Sequence, residues 1–125
     1  GVHILLAEDN ELNMEIAEFM LQNEGADVTK AWNGREAVEI FRKSEPDEFD
    51  VILMDIMMPV MNGYEATKMI RSLEREDAKT IPIIAMTANA FTEDRLKAKE
   101  AGMDEHIAKP VDPELLVKVI YESVD

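Results

Sequence analysis

The chain has 125 residues, enough for one domain whose core needs no covalent cross-links. It has no cysteine, which excludes disulfides and thiolate metal sites, and no apolar run approaches the ~20 residues of a membrane span. The net charge of −14 argues against nucleic-acid binding, because phosphate backbones attract clustered Lys and Arg. We expect one cytoplasmic domain over residues 1–125 without a signal peptide. Since the chain begins at Gly1 rather than Met, we expect it to be part of a longer protein, with a membrane-anchored parent chain as one possibility.

Four apolar runs have the composition of buried strands, and each ends at a polar residue. Residues 4–7 lead into Glu8 and Asp9, and residues 51–54 lead into Asp55. Residues 83–86 lead to Thr87, and the short run 107–108 leads to Lys109. A weaker, mixed pattern over residues 28–31 is typical of a strand at a sheet edge.

Helical periodicity alternates with these strands. We expect the first three helices to face the core with Leu12, Ile16, Phe19 and Met20, with Ala37, Ile40 and Phe41, and with Ala66, Met69, Ile70 and Leu73. A fourth helix begins near Thr92 as cap and has Leu96 as its one large apolar residue, so we expect it to be the least firmly packed. The fifth opens with Asp112 as cap and Pro113 at its first position, and its core residues are Leu116, Val119 and Ile120. Alternating β-α units predict a parallel sheet covered on both faces.

The carboxyl ends of parallel strands meet at one edge of a sheet, where open α/β folds bind ligands. That edge would hold the polar residues that follow the strands, which are Glu8, Asp9, Asp55, Thr87 and Lys109. Several carboxylates there repel one another unless a cation compensates, and oxygen ligands without His or Cys indicate Mg²⁺. Asp55 is then a candidate nucleophile for an aspartyl-phosphate intermediate.

Plainer interpretations exist for the same residues. Residues 8–10, Glu-Asp-Asn, could simply cap the first helix, as acids after a strand often do. Thr87 and Lys109, each taken alone, are ordinary polar residues at strand ends. The combination of all these positions favours a ligand site.

Four segments carry a resemblance to a known family. They are Glu8-Asp9-Asn10, residues 54–63 with the sequence MDIMMPVMNG, Thr87-Ala88 and Lys109-Pro110. Together they resemble the receiver domain of two-component response regulators over essentially the whole chain. The resemblance implies a flavodoxin-like, doubly wound (βα)5 fold with a five-stranded parallel sheet of order 2-1-3-4-5. It also implies a phosphorelay in which the histidine of a partner kinase or histidine phosphotransfer domain gives its phosphoryl group to Asp55.

The resemblance assigns a metal site as well. It implies that Glu8 and Asp9 hold Mg²⁺ together with Asp55, Glu8 through water, and that the backbone carbonyl of Met57 completes the protein ligands. The Glu-Asp-Asn segment and the residues around Thr87 are most similar to receivers of hybrid sensor histidine kinases. A stand-alone or excised receiver of a response regulator is the alternative.

Switch residues follow from the same resemblance. Thr87 matches the switch hydroxyl, Lys109 matches the phosphate-binding lysine, and the Lys109–Pro110 bond resembles one that is cis. Where the family often has a Tyr or Phe that rotates inward on activation, this chain has His106. We predict that His106 takes that part beside the fourth helix, with a solvated strand histidine as the alternative. A phosphorylation-dependent dimer is a further expectation.

Two other function classes compete with a phosphoacceptor domain. A phosphohydrolase with an aspartyl nucleophile usually has a second acid two residues later, where this chain has Met57. A flavin or nucleotide binder needs a Gly/Ser/Thr-rich loop after the first strand, and the acids at residues 8–11 would repel a phosphate. The sequence therefore favours a phosphoacceptor domain rather than an enzyme, although we expect it to promote its own phosphorylation and dephosphorylation.

Overall fold

A computed structural model describes residues 2–87, 92–109 and 112–123, without the side chains of residues 92–94 and 113. The strands are β1 (His3–Ala7), β2 (Asp27–Ala31), β3 (Val51–Asp55), β4 (Ile83–Thr87) and β5 (Glu105–Ala108). The helices are α1 (Glu11–Asn23), α2 (Gly34–Lys43), α3 (Gly63–Arg71), α4 (Glu76–Thr80), α5 (Thr92–Ala101) and α6 (Pro113–Ser123). Among these described residues, no helix has both the length and the apolar character that crossing a membrane requires.

The five strands form one parallel sheet in the order β2-β1-β3-β4-β5. This confirms the doubly wound arrangement and places the partly polar strand β2 at an edge, as its mixed pattern predicts. The strand order reverses between β1 and β3. In open α/β folds a ligand site lies at that reversal, outside the carboxyl ends of the strands.

Side chains alternate between the two faces of each strand, and two apolar clusters result. One cluster packs α2, α3, α4 and α5 on one face of the sheet, and the other packs α1 and α6 on the opposite face. In β1, for example, Leu5 belongs to the first cluster while Ile4 and Leu6 belong to the second. The sheet is therefore covered on both faces, as predicted.

The prediction for α1 was wrong about which side faces the core. Its buried residues are Met14, Ala17 and Leu21. Three of the residues expected in the core are instead exposed, namely Leu12 at 64%, Ile16 at 49% and Phe19 at 71%. Both sets have helical spacing, so periodicity alone does not decide which side of α1 packs on the sheet.

Two smaller corrections concern α3 and the helix count. Met69 is exposed, whereas Ala66 and Ile70 of the same predicted stripe are buried. The short helix α4 was not predicted. It begins next to Arg75, whose guanidinium binds the carboxylate of Asp77 at 2.7 Å and the carbonyl of Phe41 at 2.7 Å. The contact with Phe41 joins residues 34 positions apart in the chain, so no local sequence pattern predicts it.

The cap of α6 and the light packing of α5 are as predicted. Asp112 accepts a hydrogen bond from the backbone N–H of Glu114 at 3.0 Å, which confirms it as the cap of α6. Leu96 of α5 is exposed, and the buried residues described in that helix are Ala98 and Ala101, so its packing is light. The predicted cap at Thr92 and the predicted cis bond before Pro110 lie outside the described side chains and residues.

Candidate functional site

A buried ion-pair cluster lies at the carboxyl edge of the sheet. The ammonium of Lys109 is 2.8 Å from Glu8 Oε1 and 2.9 Å from Asp55 Oδ2. Glu8 and Asp55 are only 2% and 3% exposed. Glu8 and Asp55 are 101 and 54 positions away from Lys109 in the chain, yet all three side chains meet at one point, as the convergence of strand ends predicts.

Backbone hydrogen bonds extend the sheet past its strand ends and hold these residues in place. The N–H of Glu8 donates to the carbonyl of Ala31 at 3.0 Å, and the N–H of Lys109 donates to the carbonyl of Thr87 at 2.7 Å. Between them, the N–H of Ile56 donates to the carbonyl of Met86 at 3.1 Å. The site residues therefore stand on a rigid part of the fold rather than on free loops.

At the start of α1, the residue that caps the helix and the residue that belongs to the ion-pair cluster are different. Asn10 is the cap, because its side-chain oxygen accepts from the N–H of Asn13 at 2.9 Å. The N–H of Asn10 in turn donates to Glu8 Oε2 at 3.2 Å, which helps to orient that carboxylate. Capping of the helix thus falls to Asn10, and Glu8 points into the ion-pair cluster.

Three carboxylates come close together here. Glu8, Asp9 and Asp55 each offer an oxygen, and these oxygens lie within 4.8 Å of one another. Glu8 and Asp55 are buried, whereas Asp9 is exposed at the opening. Such an oxygen-only donor set, open on one side, suits a hard divalent cation that keeps several waters, which is the preference of Mg²⁺.

The electrostatics of the cluster favour a further cation. Burial raises the pKa of Glu8, and the neighbouring Asp55 raises it further. Burial alone would lower the pKa of Lys109, but its contacts with Glu8 and Asp55 outweigh burial and raise it. One ammonium therefore faces three carboxylates, so the residues present fit Mg²⁺ in charge as well as in ligand type.

The loop between β3 and α3 is held tightly beside Asp55. The N–H of Met57 donates to Asp55 Oδ1 at 3.3 Å, and the N–H of Gly63 donates to the carbonyl of Ile56 at 2.9 Å. A Cβ at Gly63 would collide with the backbone of Asp55, so glycine is required there. Asn62 then caps α3 in a reciprocal capping box with Glu65. Met57 lies at the opening and is 76% exposed, and the ligand role of its carbonyl stays a prediction.

Thr87 and His106 lie on the same face of the sheet. Thr87 is 7% exposed at the end of β4, where it pairs in register with Ala108. His106 pairs with Ala85, two residues before Thr87, and lines a cleft with Arg95, Ala98 and Lys99 of α5. The prediction that His106 projects beside this helix is confirmed, and its part in switching stays a prediction.

Sequence reasoning missed the wall of a second cleft that opens from the ion-pair cluster. This cleft of about 400 Å³ has Glu8 and Lys109 at one end and apolar walls made largely by α1. The α1 residues are Asn13, Ile16, Ala17 and Met20. A signal was available in the sequence, since α1 has more apolar residues than one core-facing stripe can bury.

Comparison with known sequences gives a consistent family match. The family model described as response regulator receiver domain matches residues 4–121. A hybrid signal transduction histidine kinase of Dictyostelium discoideum is 41% identical over 123 residues, which is 97% of this chain and 7% of that protein. Histidine kinase 1 of Arabidopsis thaliana is 38% identical, over 96% of this chain and 12% of that protein. The chain thus spans a small fraction of the length of these relatives.

Comparison with solved structures also finds receiver domains. The receiver domain of a sensor histidine kinase from Pseudomonas aeruginosa, with a magnesium ion coordinated in its active-site cleft, superposes with a TM-score of 0.89. It is 39% identical, and the match covers 99% of this chain and 98% of that one. The receiver domain of a Saccharomyces cerevisiae response regulator, crystallised with a histidine phosphotransfer protein, has a TM-score of 0.88 at 32% identity. That match covers 98% of this chain and 88% of the other.

Proposed function

Because the chain belongs to the family of response regulator receiver domains, we propose that its Asp55 accepts a phosphoryl group from a histidine of a partner protein. The observation that carries this proposal is the buried contact of Lys109 with both Asp55 and Glu8. A carboxylate held beside a cation at the reversal of strand order is poised to bind and react with an anionic group. The partner is a histidine kinase or a histidine phosphotransfer domain.

The transfer exchanges one phosphorus bond for another. A carboxylate oxygen of Asp55 attacks the phosphorus atom of the partner's phosphohistidine, the P–N bond breaks, and the imidazole leaves with the bonding electron pair. Lys109 loses its ion pair with Asp55 as that carboxylate becomes an acyl phosphate, and its ammonium follows the charge onto a phosphoryl oxygen. The N–H of Met57, which donates to Asp55 Oδ1, keeps the reacting carboxylate in position.

Glu8, Asp9 and Asp55 would hold Mg²⁺, with the backbone carbonyl of Met57 as a further ligand. When bound, Mg²⁺ neutralises charge that develops on the phosphoryl group and screens it from the surrounding carboxylates. The chain's own contribution is to hold these acids close together. Lys109 does part of this by pairing with Glu8 and Asp55.

The domain also promotes the loss of its phosphoryl group. Water attacks the phosphorus atom, the P–O bond to Asp55 breaks, and the carboxylate returns to its contact with Lys109 while inorganic phosphate leaves. The opening beside the exposed Asp9 and Met57 gives water access to the site. The domain thus acts as a phosphoacceptor with a limited phosphoryl lifetime, rather than as an enzyme with a separate substrate.

Thr87 and His106 couple the phosphoryl group to the surface. The Thr87 hydroxyl turns to donate to a phosphoryl oxygen, and His106, on the same face of the sheet, fills the space that Thr87 leaves. The lightly packed helix α5 moves in response, because weakly buried elements supply mobile parts. A phosphorylation-dependent dimer would form through the surface that changes.

The parent protein is a hybrid sensor histidine kinase in this proposal. The support is that the matched relatives are histidine kinases of which this chain spans 7% and 12%. The domain itself acts in the cytoplasm, and the parent chain can be membrane-anchored. A stand-alone receiver is the alternative.

Acetyl phosphate with Mg²⁺ tests the chemistry without a partner protein. Intact-mass measurement should find one added phosphoryl group, removed by hydroxylamine as acyl phosphates are. Asp55→Asn should remain unmodified. Asp50→Asn changes an exposed acid directly before β3, at the other end of that strand, and should be labelled like the parent. Equal labelling of the Asp55→Asn variant would overturn the proposal.

A further inference from the structure

The loop between β3 and α3, residues 56–62, contains a strained turn, and we call this segment the site loop. The N–H of Met61 donates to the carbonyl of Pro59 at 2.7 Å, so residues 59–61 form a three-residue γ-turn. Val60, at its centre, has a φ of 70°, which has the sign of the rarer and more strained form of this turn. Such strain persists only where surrounding contacts impose it, and it is found mostly at functional sites. A contact from outside the turn is therefore expected to hold it.

The first residue of α2 makes such a contact. The N–H of Gly34 donates to the carbonyl of Met61 at 3.0 Å. The first N–H groups of a helix have no partner within the helix, so this donor is available to another segment. Gly34 is buried, which shields the hydrogen bond from water. The start of α2 is thus tied to the site loop at the residue that follows the strained Val60.

A side chain at position 34 has no room. A Cβ there would overlap the carbonyl oxygen of Met61, and it would lie 2.9 Å from the Met61 carbonyl carbon and 3.0 Å from the carbonyl oxygen of Asn62. These are backbone atoms, which cannot rotate away as the end of a side chain can, so the site loop itself would have to move. The φ of Gly34 is not positive. The close approach of the loop, rather than the backbone conformation, therefore requires glycine.

The site loop also contacts the acidic cluster. The N–H of Met57 donates to Asp55 Oδ1 at 3.3 Å, and the predicted metal-ligand carbonyl belongs to the same residue. The N–H of Gly63 donates to the carbonyl of Ile56 at 2.9 Å and closes the loop at its base. In a short, closed loop, a displacement of Met61 is passed on to Met57.

We propose that Gly34 is a positioning residue for the phosphorylation site. Its N–H and its lack of a side chain hold the site loop in the conformation that places the backbone of Met57 at Asp55. The inference rests on the proposed function, since it concerns the same site. Contacts behind the ligands of a metal site orient those ligands and influence metal affinity. Because coupling between two places is reciprocal, Mg²⁺ at the acidic cluster should also stabilise the hydrogen bond between Gly34 and Met61.

Amide exchange in the unaltered domain provides the first test. In the ¹⁵N-labelled protein, Mg²⁺ should slow the solvent exchange of the Gly34 amide by at least about fivefold, the lower end of typical coupling between sites. The Gly25 amide is the control, because it donates to the carbonyl of Gln22 at 2.9 Å at the far end of α1. Its exchange should change little. No slowing at Gly34, or equal slowing at both amides, would overturn the inference.

Two matched glycine substitutions provide the second test. Gly34→Ala should weaken Mg²⁺ binding about tenfold in an NMR titration, as the loss of a contact behind metal ligands typically does. Gly25→Ala makes the same change at a φ of 86°, with no atom within 4 Å of the added Cβ. It should lower the urea midpoint through backbone strain but leave the Mg²⁺ affinity unchanged. If Gly34 served the fold alone, Gly34→Ala would behave as this control does.

Each outcome bears on the inference separately from the proposed function. An Mg²⁺ affinity of Gly34→Ala equal to that of the parent would overturn the inference. If Gly34→Ala does not fold, the exchange of the Gly34 amide in the parent decides alone. Acetyl phosphate labelling of the parent is the parallel measurement. If Asp55 is labelled while either test fails, the inference alone falls, and if Asp55 is not labelled, the proposed function falls first.

Discussion

Replacing Asp9 by Asn should make the metal-free domain more stable. The carboxylate oxygens of Glu8, Asp9 and Asp55 lie within 4.8 Å of one another. Two unit charges at that distance repel by about 3.5 kcal/mol at an effective dielectric constant of ~20 and by about 0.9 kcal/mol in bulk water. Asp9 is exposed, and Lys109 already compensates part of the charge on the other two. We therefore expect a gain of about 1 kcal/mol in the free energy of unfolding.

With Mg²⁺ bound, the parent domain should be more stable than Asp9→Asn. A ligand that binds only the folded state stabilises it by RT ln(1 + [L]/Kd), or about 1.4 kcal/mol at ten times Kd. The parent domain should gain this stability when Mg²⁺ replaces EDTA, while Asp9→Asn should gain much less because a ligand is lost. Urea unfolding followed by circular dichroism, with and without Mg²⁺, measures both effects.

Asp27→Asn supplies the matched control for this experiment. Asp27 is an exposed acid at the start of β2, at the opposite edge of the sheet from the acidic cluster. Its replacement should change neither the metal-free stability nor the response to Mg²⁺. The reasoning is refuted if Asp9→Asn is no more stable than the parent in EDTA, or if it keeps the full stabilisation by Mg²⁺.

Three further predictions concern other parts of the fold. The hydrogen-bonded Arg75 lowers the pKa of Asp77, so Asp77→Asn should lower the free energy of unfolding by about 1 kcal/mol at pH 7. Urea titrations at several pH values should show that this loss vanishes as the pH falls through the lowered pKa. Val60 has a φ of 70°, a conformation that strains a β-branched residue, so Val60→Asn should raise the free energy of unfolding by about 1 kcal/mol, and an unchanged urea midpoint would contradict this. Thr87→Ala should still be phosphorylated. Beryllofluoride should change the hydrogen exchange of α5 less in this variant than in the parent. An equally large change in both would show that Thr87 is not part of the switch.

The sequence indicated the sheet and its acidic edge because both follow from local rules. Apolar runs of strand length alternate with helical periodicity, and a parallel sheet brings all carboxyl ends together. The meeting of Lys109 with Glu8 and Asp55 therefore follows from the strand pattern and the parallel topology. The roles within that cluster came from the family resemblance, not from spacing alone.

The exposed side of α1 could not be predicted by the same rules. Leu12, Ile16 and Phe19 follow helical spacing as well as the buried set Met14, Ala17 and Leu21 does. Periodicity shows that apolar residues repeat at helical spacing. In a helix with two apolar sides, both sides have that spacing, so it does not tell them apart. Which side is buried depends on the orientation of the helix on the sheet. The contact of Arg75 with Phe41 was missed for a related reason, since it depends on segments brought together only by the fold.

Chemical reduction of the phosphorylated domain tests the role of Asp55 most directly. Borohydride converts an aspartyl phosphate to homoserine, so the acceptor is marked permanently at its own position in the chain. After treatment with acetyl phosphate and Mg²⁺, peptide sequencing by mass spectrometry should find homoserine at position 55, and only in the phosphorylated sample. Homoserine at position 9, with unmodified Asp55, would contradict the proposed function.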